Sequence, residues 1–245
     1  MNNIKFLNLY KTFEALVKDS YSGDSSRAIR SYISKLEHSV SLSEQIRGRK
    51  LNVARELRNG LAHLEDVEVD GLYNSSFSIS DSLIEILEKE IEIIRNPRIV
   101  ENEMVKISNV FYTSNDELLS NVFERMSSHT YSNVPILEDG RVVGVFGEHS
   151  IFAFVTDNKN ISISNELKIK DLAEYTSLDK QKNEYYTFVA RNAKVVELYD
   201  EFTKYRDGKR LGMAFVTQNG LPKERIIGIV TIYDLIDKEW EVLDS

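Results

Sequence analysis

One β-α-β-β-α pattern occurs twice between about residues 105 and 245, and this duplication constrains the fold more than any other feature of the sequence. In each copy a helix leads to a short apolar strand, then to a turn, and then to a second strand with a glycine at its centre. Gly144 and Gly228 occupy matching places in the two copies. A sequence that repeats one unit in this way is expected to build a domain from two similar halves.

The spacing of apolar residues and turn signals sets the expected elements of each copy. In the first copy, at about 105–158, they are a helix at 116–126, a strand at 134–137, a turn at 138–140, a strand at 142–146 and a helix from about 148. In the second copy, at about 183–245, they are a strand at 185–189, a helix at 193–204, a strand at 213–216, a loop at 219–220, a strand at 226–230 and a final helix. Asn219-Gly220 between apolar runs is a strong hairpin signal.

The first 95 residues instead carry apolar residues at helical spacing. Four helices are expected, with their apolar faces on Ile4, Leu7, Tyr10, Phe13, Leu16 and Val17; on Ala28, Ile29, Tyr32, Ile33 and Leu36; on Ile46, Val53, Ala54 and Leu57; and on Leu83, Ile84, Leu87, Ile91 and Ile94. Pro97 ends the last helix, because proline cannot continue its hydrogen-bond ladder. The predicted fold class is α+β with two domains: an all-α antiparallel four-helix bundle at 1–95 and the tandem repeat at 96–245.

Composition narrows the classes of function. The 42% hydrophobic and 29% charged residues are typical of a soluble globular protein. The chain has no cysteine, which excludes disulfides and thiolate metal sites, and its four histidines show no metal-ligand spacing, so no metal site is predicted. The first residues lack the basic flank and apolar run of a signal peptide, and no stretch approaches the ~20 apolar residues of a membrane span. A cytoplasmic protein without a membrane partner is expected.

Charge is unevenly distributed along a chain whose net charge is −8. Basic residues dominate between Arg27 and Arg58, and acidic residues dominate between Glu65 and Glu92. A local basic patch on an acidic protein can contact a phosphate backbone. A solvated helix face explains the same pattern, and charge alone does not choose between the two.

The segment from Gly228 to Asp234 joins the end of a strand to the start of a helix. Free backbone N–H groups and the positive end of the helix dipole favour anions at such a junction. Thr231 adds a hydroxyl suited to a phosphate oxygen, Asp234 can accept two hydrogen bonds from ribose hydroxyls, and Gly228 leaves room for a close approach. The alternative is that Thr231 and Asp234 form a capping box and do nothing else.

The duplicated unit ending in Gly-x-x-Thr-x-x-Asp resembles the CBS domain family, whose tandem pairs form a compact disc. In that family such pairs bind AMP, ADP, ATP, S-adenosylmethionine or cyclic dinucleotides. The resemblance implies an adenine nucleotide as a regulatory ligand, with Thr231 at the phosphate and Asp234 at the ribose, and it implies no catalytic cofactor.

Further residues of the second repeat are candidates for the same site. Lys209 and Arg210 precede the middle strand and can neutralise phosphate, although a solvated loop explains them too. Thr187, Met213 and Ala214 can line an adenine pocket or belong to the core. The first repeat has Gly147 and Ser150 where Thr and Asp would stand, so one working nucleotide site is expected, in the second repeat.

The segment from Arg58 to His63 falls on or just after the third predicted helix. An Arg and a His near a phosphodiester suffice for metal-free RNA cleavage, because the His can move a proton and the Arg can hold the non-bridging oxygens. On a continuous helix the two residues are offset by about 140°, while Asn59 and His63 share a face. The bland alternative is that Arg58 ends a surface helix and His63 packs nearby.

The Arg-Asn-x-x-x-His motif on a late helix of a four-helix bundle resembles the HEPN superfamily. Many HEPN domains are endoribonucleases whose active site forms across a homodimer. The resemblance implies Arg58 and His63 as catalytic residues, Asn59 as a polar helper, and an RNA channel near Arg47, Arg49, Lys50 and Arg55. A nucleotide-regulated endoribonuclease acting as a homodimer is therefore expected, with a non-enzymatic nucleotide-responsive regulator as the alternative.

Overall fold

The computed structural model describes residues 2–20, 24–39, 41–65, 79–158 and 166–235, without the side chains of residue 20 and residues 62–65. The chain divides into two compact units between Arg98 and Ile99. A helical N-terminal region is followed by a mixed helix and sheet region, as the fold class predicts. Most of the predicted final helix lies outside the described residues, and only residues 232–235 are seen to be helical.

Four helices form the N-terminal unit. They are α1 (Asn2–Ser20), α2 (Ser25–Glu37), α3 (Leu42–Glu65) and α4 (Asp81–Arg95). Helix α2 begins after Asp24, whose carboxylate accepts the Arg27 N–H at 2.8 Å and so satisfies a free donor of the first turn. Helix α1 packs on α2 and α4, and α2 packs on α3.

The four helices share one apolar core. Its α1 members are Phe6, Tyr10, Phe13 and Val17, which recur at helical spacing. The predicted α1 face included Ile4, but the Ile4 side chain is 70% exposed and Phe6 is buried in its place. At Gly48 a Cβ would lie 2.8 Å from the backbone nitrogen of Glu37, so this glycine allows α2 and α3 to approach closely.

A charged group also lies inside the helical unit. Glu90 on α4 is 2% exposed. Its carboxylate accepts hydrogen bonds from Arg47 Nε at 3.0 Å and Arg47 Nη2 at 2.8 Å, and a further one from the Tyr32 hydroxyl. A buried carboxylate is tolerated only when paired in this way. The network therefore ties α2 and α3 to α4.

We predict that Arg47→Ala lowers the free energy of unfolding by about 3 kcal/mol, because it leaves the Glu90 carboxylate buried without its cation. Urea denaturation followed by circular dichroism measures the loss. Arg49→Ala is the matched control: Arg49 is exposed one turn away on the sequence, and its removal should change stability by less than about 0.5 kcal/mol. Equal unfolding midpoints for the two variants would contradict a structural role for the pair.

In the described part of the C-terminal unit, four further α-helices and seven strands precede the helical turn at 232–235. The helices are α5 (Leu119–His129), α6 (Glu148–Asp157), α7 (Ala173–Thr176) and α8 (Val195–Thr203). The strands are β1 (Val105–Lys106), β2 (Asn133–Glu138), β3 (Arg141–Gly147), β4 (Glu184–Ala190), β5 (Tyr205–Arg206), β6 (Lys209–Thr217) and β7 (Ile226–Val230).

These strands form two sheets that pack face to face. The larger has the order β1-β7-β6-β4 with β5 paired to β6, and the smaller is the β2–β3 hairpin. Strand β4 runs parallel to β6, while β7 runs antiparallel to β6. The core between the sheets consists of Leu137, Val142, Val145, Met213, Phe215 and Ile226. The outer face of the larger sheet is covered by α8 and by the helical turn at 232–235, and the outer face of the hairpin by α5 and α6.

Two elements begin three or more residues from the predicted start. Helix α5 begins at Leu119 and not at Asp116, because the preceding backbone pairs with another segment: Leu119 N–H donates to the Leu167 carbonyl at 2.8 Å, and Ile169 N–H donates to the Glu117 carbonyl at 3.0 Å. Strand β6 begins at Lys209, four residues before the predicted start, because a turn at Asp207-Gly208 adds β5 to its edge.

The two repeats are joined through their matching glycines. On β3, a Cβ at Gly144 would lie 2.7 Å from the carbonyl oxygen of Thr176, which precedes the second repeat. On β7, a Cβ at Gly228 would lie 2.6 Å from the carbonyl oxygen of Val105, at the start of the first repeat. Each repeat therefore receives on its glycine strand the backbone that leads into the other repeat.

We predict that Gly144→Ala and Gly228→Ala each lower the free energy of unfolding by about 2 kcal/mol, since the added methyl group meets a backbone oxygen that cannot retreat without moving its segment. Thermal and urea unfolding measure the effect. Gly60→Ala, on α3 with no atom within 4 Å of the added Cβ, should instead raise stability by up to about 1 kcal/mol. Losses below about 0.5 kcal/mol at both strand positions would show that the two carbonyls are free to move.

Candidate functional site

The junction between β7 and the helical turn at 232–235 carries the two residues that the sequence singles out. Asp234 Oδ2 accepts a hydrogen bond from the Thr231 backbone N–H at 2.7 Å and another from the Thr231 hydroxyl at 2.8 Å. Both side chains are half-buried, while Tyr233 between them is 76% exposed. The structure thus brings Thr231 and Asp234 into direct contact at the start of the turn.

This contact has the geometry of a helix cap, with one feature that a cap does not need. A carboxylate at the third helical position commonly accepts the N–H of the capping residue, as Asp234 does for Thr231. Both bonds end on Oδ2, so neither of them uses Oδ1 of Asp234. The Thr231 hydroxyl carries one proton, and this proton is directed to Asp234. A phosphate at Thr231 would therefore require the hydroxyl to rotate.

Strands β1 and β6 flank β7 at this corner. Val230 lies opposite Ala214 of β6, and Ile229 lies opposite Val105 of β1. The space beside Gly228, predicted to admit a ligand, is filled by the Val105 carbonyl and by the Met104 side chain. Sequence reasoning did not place Met104 and Val105 here, and the only sequence signal for them is the need for a glycine at 228.

Met213 and Ala214 lie on opposite faces of the larger sheet, because consecutive side chains on a strand alternate. Met213 packs in the core between the two sheets, and Ala214 packs under α8 beside Val230. Thr187 lies on β4, which β6 separates from β7, so its strand is about 10 Å from β7. Of these three residues, only Ala214 lies both on the strand next to β7 and on the same face of the sheet as Val230.

Lys209 and Arg210 belong to a different part of the sheet. They lie at the start of β6, four or five residues before Ala214, which is about 13–17 Å along a strand. Arg210 Nε donates to the Tyr205 hydroxyl at 2.6 Å on the neighbouring strand β5. The described backbone thus places this pair in a hairpin and not beside Thr231.

The corresponding corner of the first repeat has the same hydrogen-bond plan and different chemistry. The Gly147 N–H donates to Ser150 Oγ at 3.4 Å, and Ser150 is 2% exposed. A side chain at position 147 would collide with Asn133 Oδ1. The space where Thr231 stands in the second repeat is therefore taken by Asn133 in the first.

A small polar network holds Asn133 in that position. Glu184 Oε2 accepts hydrogen bonds from Asn133 Nδ2 and from the Tyr186 hydroxyl, both at 3.0 Å. Burial, reinforced by the nearby Glu184 carboxylate, raises the pKa of Tyr186 well above its usual range, so the phenol stays a donor. The first-repeat corner is closed by the protein's own side chains.

An open cleft of about 890 Å³ lies next to that corner, between α6 and the segment before β4. Its lining includes His149 and Phe152 of α6 and Lys180, Lys182 and Asn183 of the other wall. His149 and Asn183 are within hydrogen-bonding distance, 3.2 Å from ring Nε2 to amide Nδ2. The walls of the cleft carry both acidic and basic groups, and none of the nucleotide-binding residues predicted from the sequence lines the cleft.

In the helical unit, Arg58 and Asn59 lie on the last turns of α3. Arg58 Nη1 donates to Asn59 Oδ1 at 3.3 Å, and Arg58 Nη2 is 3.4 Å from Glu14 Oε1 on α1. The guanidinium also lies 5.8 Å from the centre of the Tyr10 ring. Burial, followed by the effect of Glu14, raises the pKa of Tyr10 to about 12. His63 falls within α3, but its side chain lies outside the described residues.

The basic residues proposed to line an RNA channel differ in what they contact. Arg47 is bound to the buried Glu90, so it is a structural cation and not a channel residue. Arg55 Nε donates to Asn52 Oδ1 at 3.1 Å and its Nη2 lies 3.7 Å from Glu56. Arg49 and Lys50 are exposed. Among the described helices, none has the length and apolar character of a membrane span.

Residues 100–157 match the family model of the CBS domain. The match covers the first repeat and not the stretch that contains Thr231 and Asp234. No curated protein matches the chain in sequence.

Solved structures of CBS proteins resemble the C-terminal unit at low identity. A hemolysin-like protein containing a CBS domain from Oenococcus oeni PSU is 18% identical, with 63% of this chain and 97% of that chain covered and a TM-score of 0.41. CBSX2 in complex with AMP is 16% identical, with coverages of 59% and 98% and a TM-score of 0.43. CbpB in complex with c-di-AMP is 15% identical, with coverages of 64% and 93% and a TM-score of 0.49. These likenesses add no argument of their own, and what the comparisons show is that residues 100–157 are similar to the CBS domain.

Proposed function

We propose that the C-terminal unit binds an adenine nucleotide (AMP, ADP or ATP) at the corner formed by Thr231 and Asp234, and that the protein is a nucleotide-responsive regulator. The observation that carries the proposal is that Asp234 at a helix start accepts both of its bonds from Thr231 on one oxygen, Oδ2, beside a threonine hydroxyl that can turn outward. The CBS domain at 100–157 supports it, because the second repeat shares the plan of that domain.

Each group at the corner has a task in such a complex. Asp234 Oδ1 accepts hydrogen bonds from the ribose hydroxyls, and bonds to an ionised acceptor are the stronger kind. The free N–H groups of the helical turn and its positive end attract the phosphate. Thr231 gives up its bond to Asp234 and donates to a phosphate oxygen. Ala214 on the neighbouring strand is fully buried under α8, so it supports the corner from below.

We predict that calorimetric titration with AMP, ADP, ATP, S-adenosylmethionine and cyclic di-AMP finds at least one ligand whose affinity falls about 10- to 100-fold in Asp234→Ala. The loss corresponds to charge-assisted hydrogen bonds of about 1.5–3 kcal/mol. Ser150→Ala is the matched control, because Ser150 makes the equivalent cap contact in the first repeat, where the corner is closed. It should leave the affinity unchanged.

The outcomes separate a ligand site from a cap. Binding that is lost in Asp234→Ala and kept in Ser150→Ala supports the proposal and names the ligand. Binding that is unaffected by Asp234→Ala moves the nucleotide to another place, with the cleft beside α6 as the first alternative. No binding by any of the five compounds would reduce Thr231 and Asp234 to a helix cap.

For the helical unit we propose metal-independent RNA cleavage in a homodimer, on the resemblance of its motif to HEPN domains. The specific observation in favour is that Arg58 and Asn59 are hydrogen-bonded neighbours at a partly exposed position, with Arg58 38% exposed. The ion pair between Arg58 and Glu14 argues against this role, since a catalytic Arg58 must release Glu14 to hold a phosphate. The competing assignment makes this unit a dimerisation or docking element.

We predict that the purified protein degrades RNA in the presence of EDTA and that His63→Ala abolishes the degradation, because the imidazole moves the proton. His38→Ala is the control, since His38 lies at the end of α2, where its ring Nδ1 is 2.8 Å from the Ser34 carbonyl oxygen. Repeating the assay with the nucleotide found by calorimetry tests regulation. Degradation that survives in His63→Ala contradicts the catalytic role of His63. Degradation that saturating nucleotide leaves unchanged contradicts regulation by the nucleotide.

A further inference from the structure

The hairpin at residues 204–210 sets the second repeat apart from the first. In the first repeat, α5 ends at His129 and β2 begins at Asn133, so three residues connect them. In the second, the connection from α8 to β6 contains the extra strand β5 and a two-residue turn. The shared repeat plan is complete without this hairpin, so its presence calls for a reason other than the fold.

The hairpin has a tight turn and is positively charged. Asp207 and Gly208 have φ values of +50° and +77°, as a type I′ turn requires. Seven residues carry four cations, namely Lys204, Arg206, Lys209 and Arg210, and one carboxylate. This concentration of positive charge on a chain of net charge −8 gives the hairpin an attraction for anions that the molecule as a whole lacks.

Aromatic rings alternate with these cations. Tyr205 lies directly opposite Arg210, whose guanidinium is 5.1 Å from the centre of the tyrosine ring. Arg206 is held 5.1 Å from the ring of Tyr185 on β4, and it also pairs with Glu201. Tyr205 remains 59% exposed and the Arg206 side chain 57% exposed. Flat aromatic and guanidinium surfaces are thus presented to solvent beside positive charge.

The wall next to the hairpin adds to the same surface. Arg210 N–H donates to the Asn183 carbonyl at 3.2 Å, which joins the start of β6 to the segment that carries Lys182. Lys182 is exposed. The positive surface therefore continues from the hairpin tip towards the cleft beside α6.

From this arrangement we propose that the hairpin at 204–210 binds a single-stranded nucleic acid. Its cations contact phosphates, and Tyr205 with the arginines offers stacking surfaces for unpaired bases, as single-strand-binding proteins do. A duplex would hide the base faces that such surfaces recognise. An acidic protein segment would match the charge but would leave the exposed ring without a partner. The proposal is independent of the adenine nucleotide site.

The test is fluorescence anisotropy with labelled oligouridylate and oligothymidylate of about 15 nucleotides, a length within the site sizes of single-strand binders. Titrations run from about 50 to 200 mM salt, over which phosphate contacts weaken measurably. The expected result is binding of at least one oligonucleotide. Lys204→Ala/Arg206→Ala should weaken it at least tenfold and reduce the slope of log affinity against log salt by about 1.4, since each single-strand phosphate contact contributes about 0.7.

Further variants separate stacking from charge. Tyr205→Ala should weaken binding about tenfold at unchanged charge, while Tyr205→Phe keeps the ring and should retain most of the affinity. Lys223→Ala/Arg225→Ala removes two exposed cations elsewhere in the same unit and should have little effect. Unaltered circular dichroism and unfolding midpoints of the variants exclude misfolding as the cause of any loss.

Four outcomes overturn the proposal. The first is that the wild-type protein binds neither oligonucleotide. The second is that the two double variants weaken binding equally, which would mean diffuse attraction. The third is that polyglutamate displaces the oligonucleotide at equal charge and Tyr205→Ala has no effect, which would assign the hairpin to an acidic protein. RNA that binds only through the helical unit gives wild-type affinity in every hairpin variant and also contradicts it.

Discussion

The C-terminal unit depends on two places where one backbone lies directly against another. At Gly144 and Gly228 a carbonyl oxygen from outside the repeat occupies the space in which any other residue would carry its Cβ. The two contacts are reciprocal, since the segment before each repeat rests on the glycine strand of the other. A β-α-β-β-α unit alone would expose these strands, so neither half forms a complete sheet edge by itself.

The contact at Gly228 also determines what a ligand at Thr231 would meet. Strand β1 lies beside β7, and the chain leading into β1 is held on the second repeat at another point as well. Val100 N–H donates to the Ala193 carbonyl at 2.9 Å, and the Arg191 guanidinium binds the Glu101 carboxylate. The stretch that follows the division at Arg98 is thus attached to the second repeat twice, once before α8 and once on β7.

The duplication, the strands around Gly144 and Gly228 and the four helices could be predicted because each depends on local spacing. The Asp207-Gly208 turn carried an equally local signal, and reading it would have extended β6 and revealed β5. The contacts of Glu90 with Arg47 and of Thr176 with Gly144 could not be predicted, since they join residues 43 and 32 positions apart in the chain. The same limit applies to the candidate site. Thr231 and Asp234 are three residues apart in the chain, and they do meet. Thr187 lies on β4 and Lys209 at the far end of β6, and their distance from Thr231 depends on the strand order, which the sequence does not give.

The two repeats cap the helix that follows their glycine strand with different residues, and this difference bears on the proposed function. A helix start after a strand needs an acceptor for the first free N–H, and Ser150 provides one in the first repeat while almost fully buried. An aspartate in the same place brings a charge that must be kept solvated or paired. At Asp234 both cap bonds end on one carboxylate oxygen, and Thr231 stands where the first repeat has a glycine whose neighbouring space is filled by Asn133. Serine makes the equivalent cap contact in the first repeat without a charge, so the aspartate of the second repeat brings a carboxylate that the cap alone does not require.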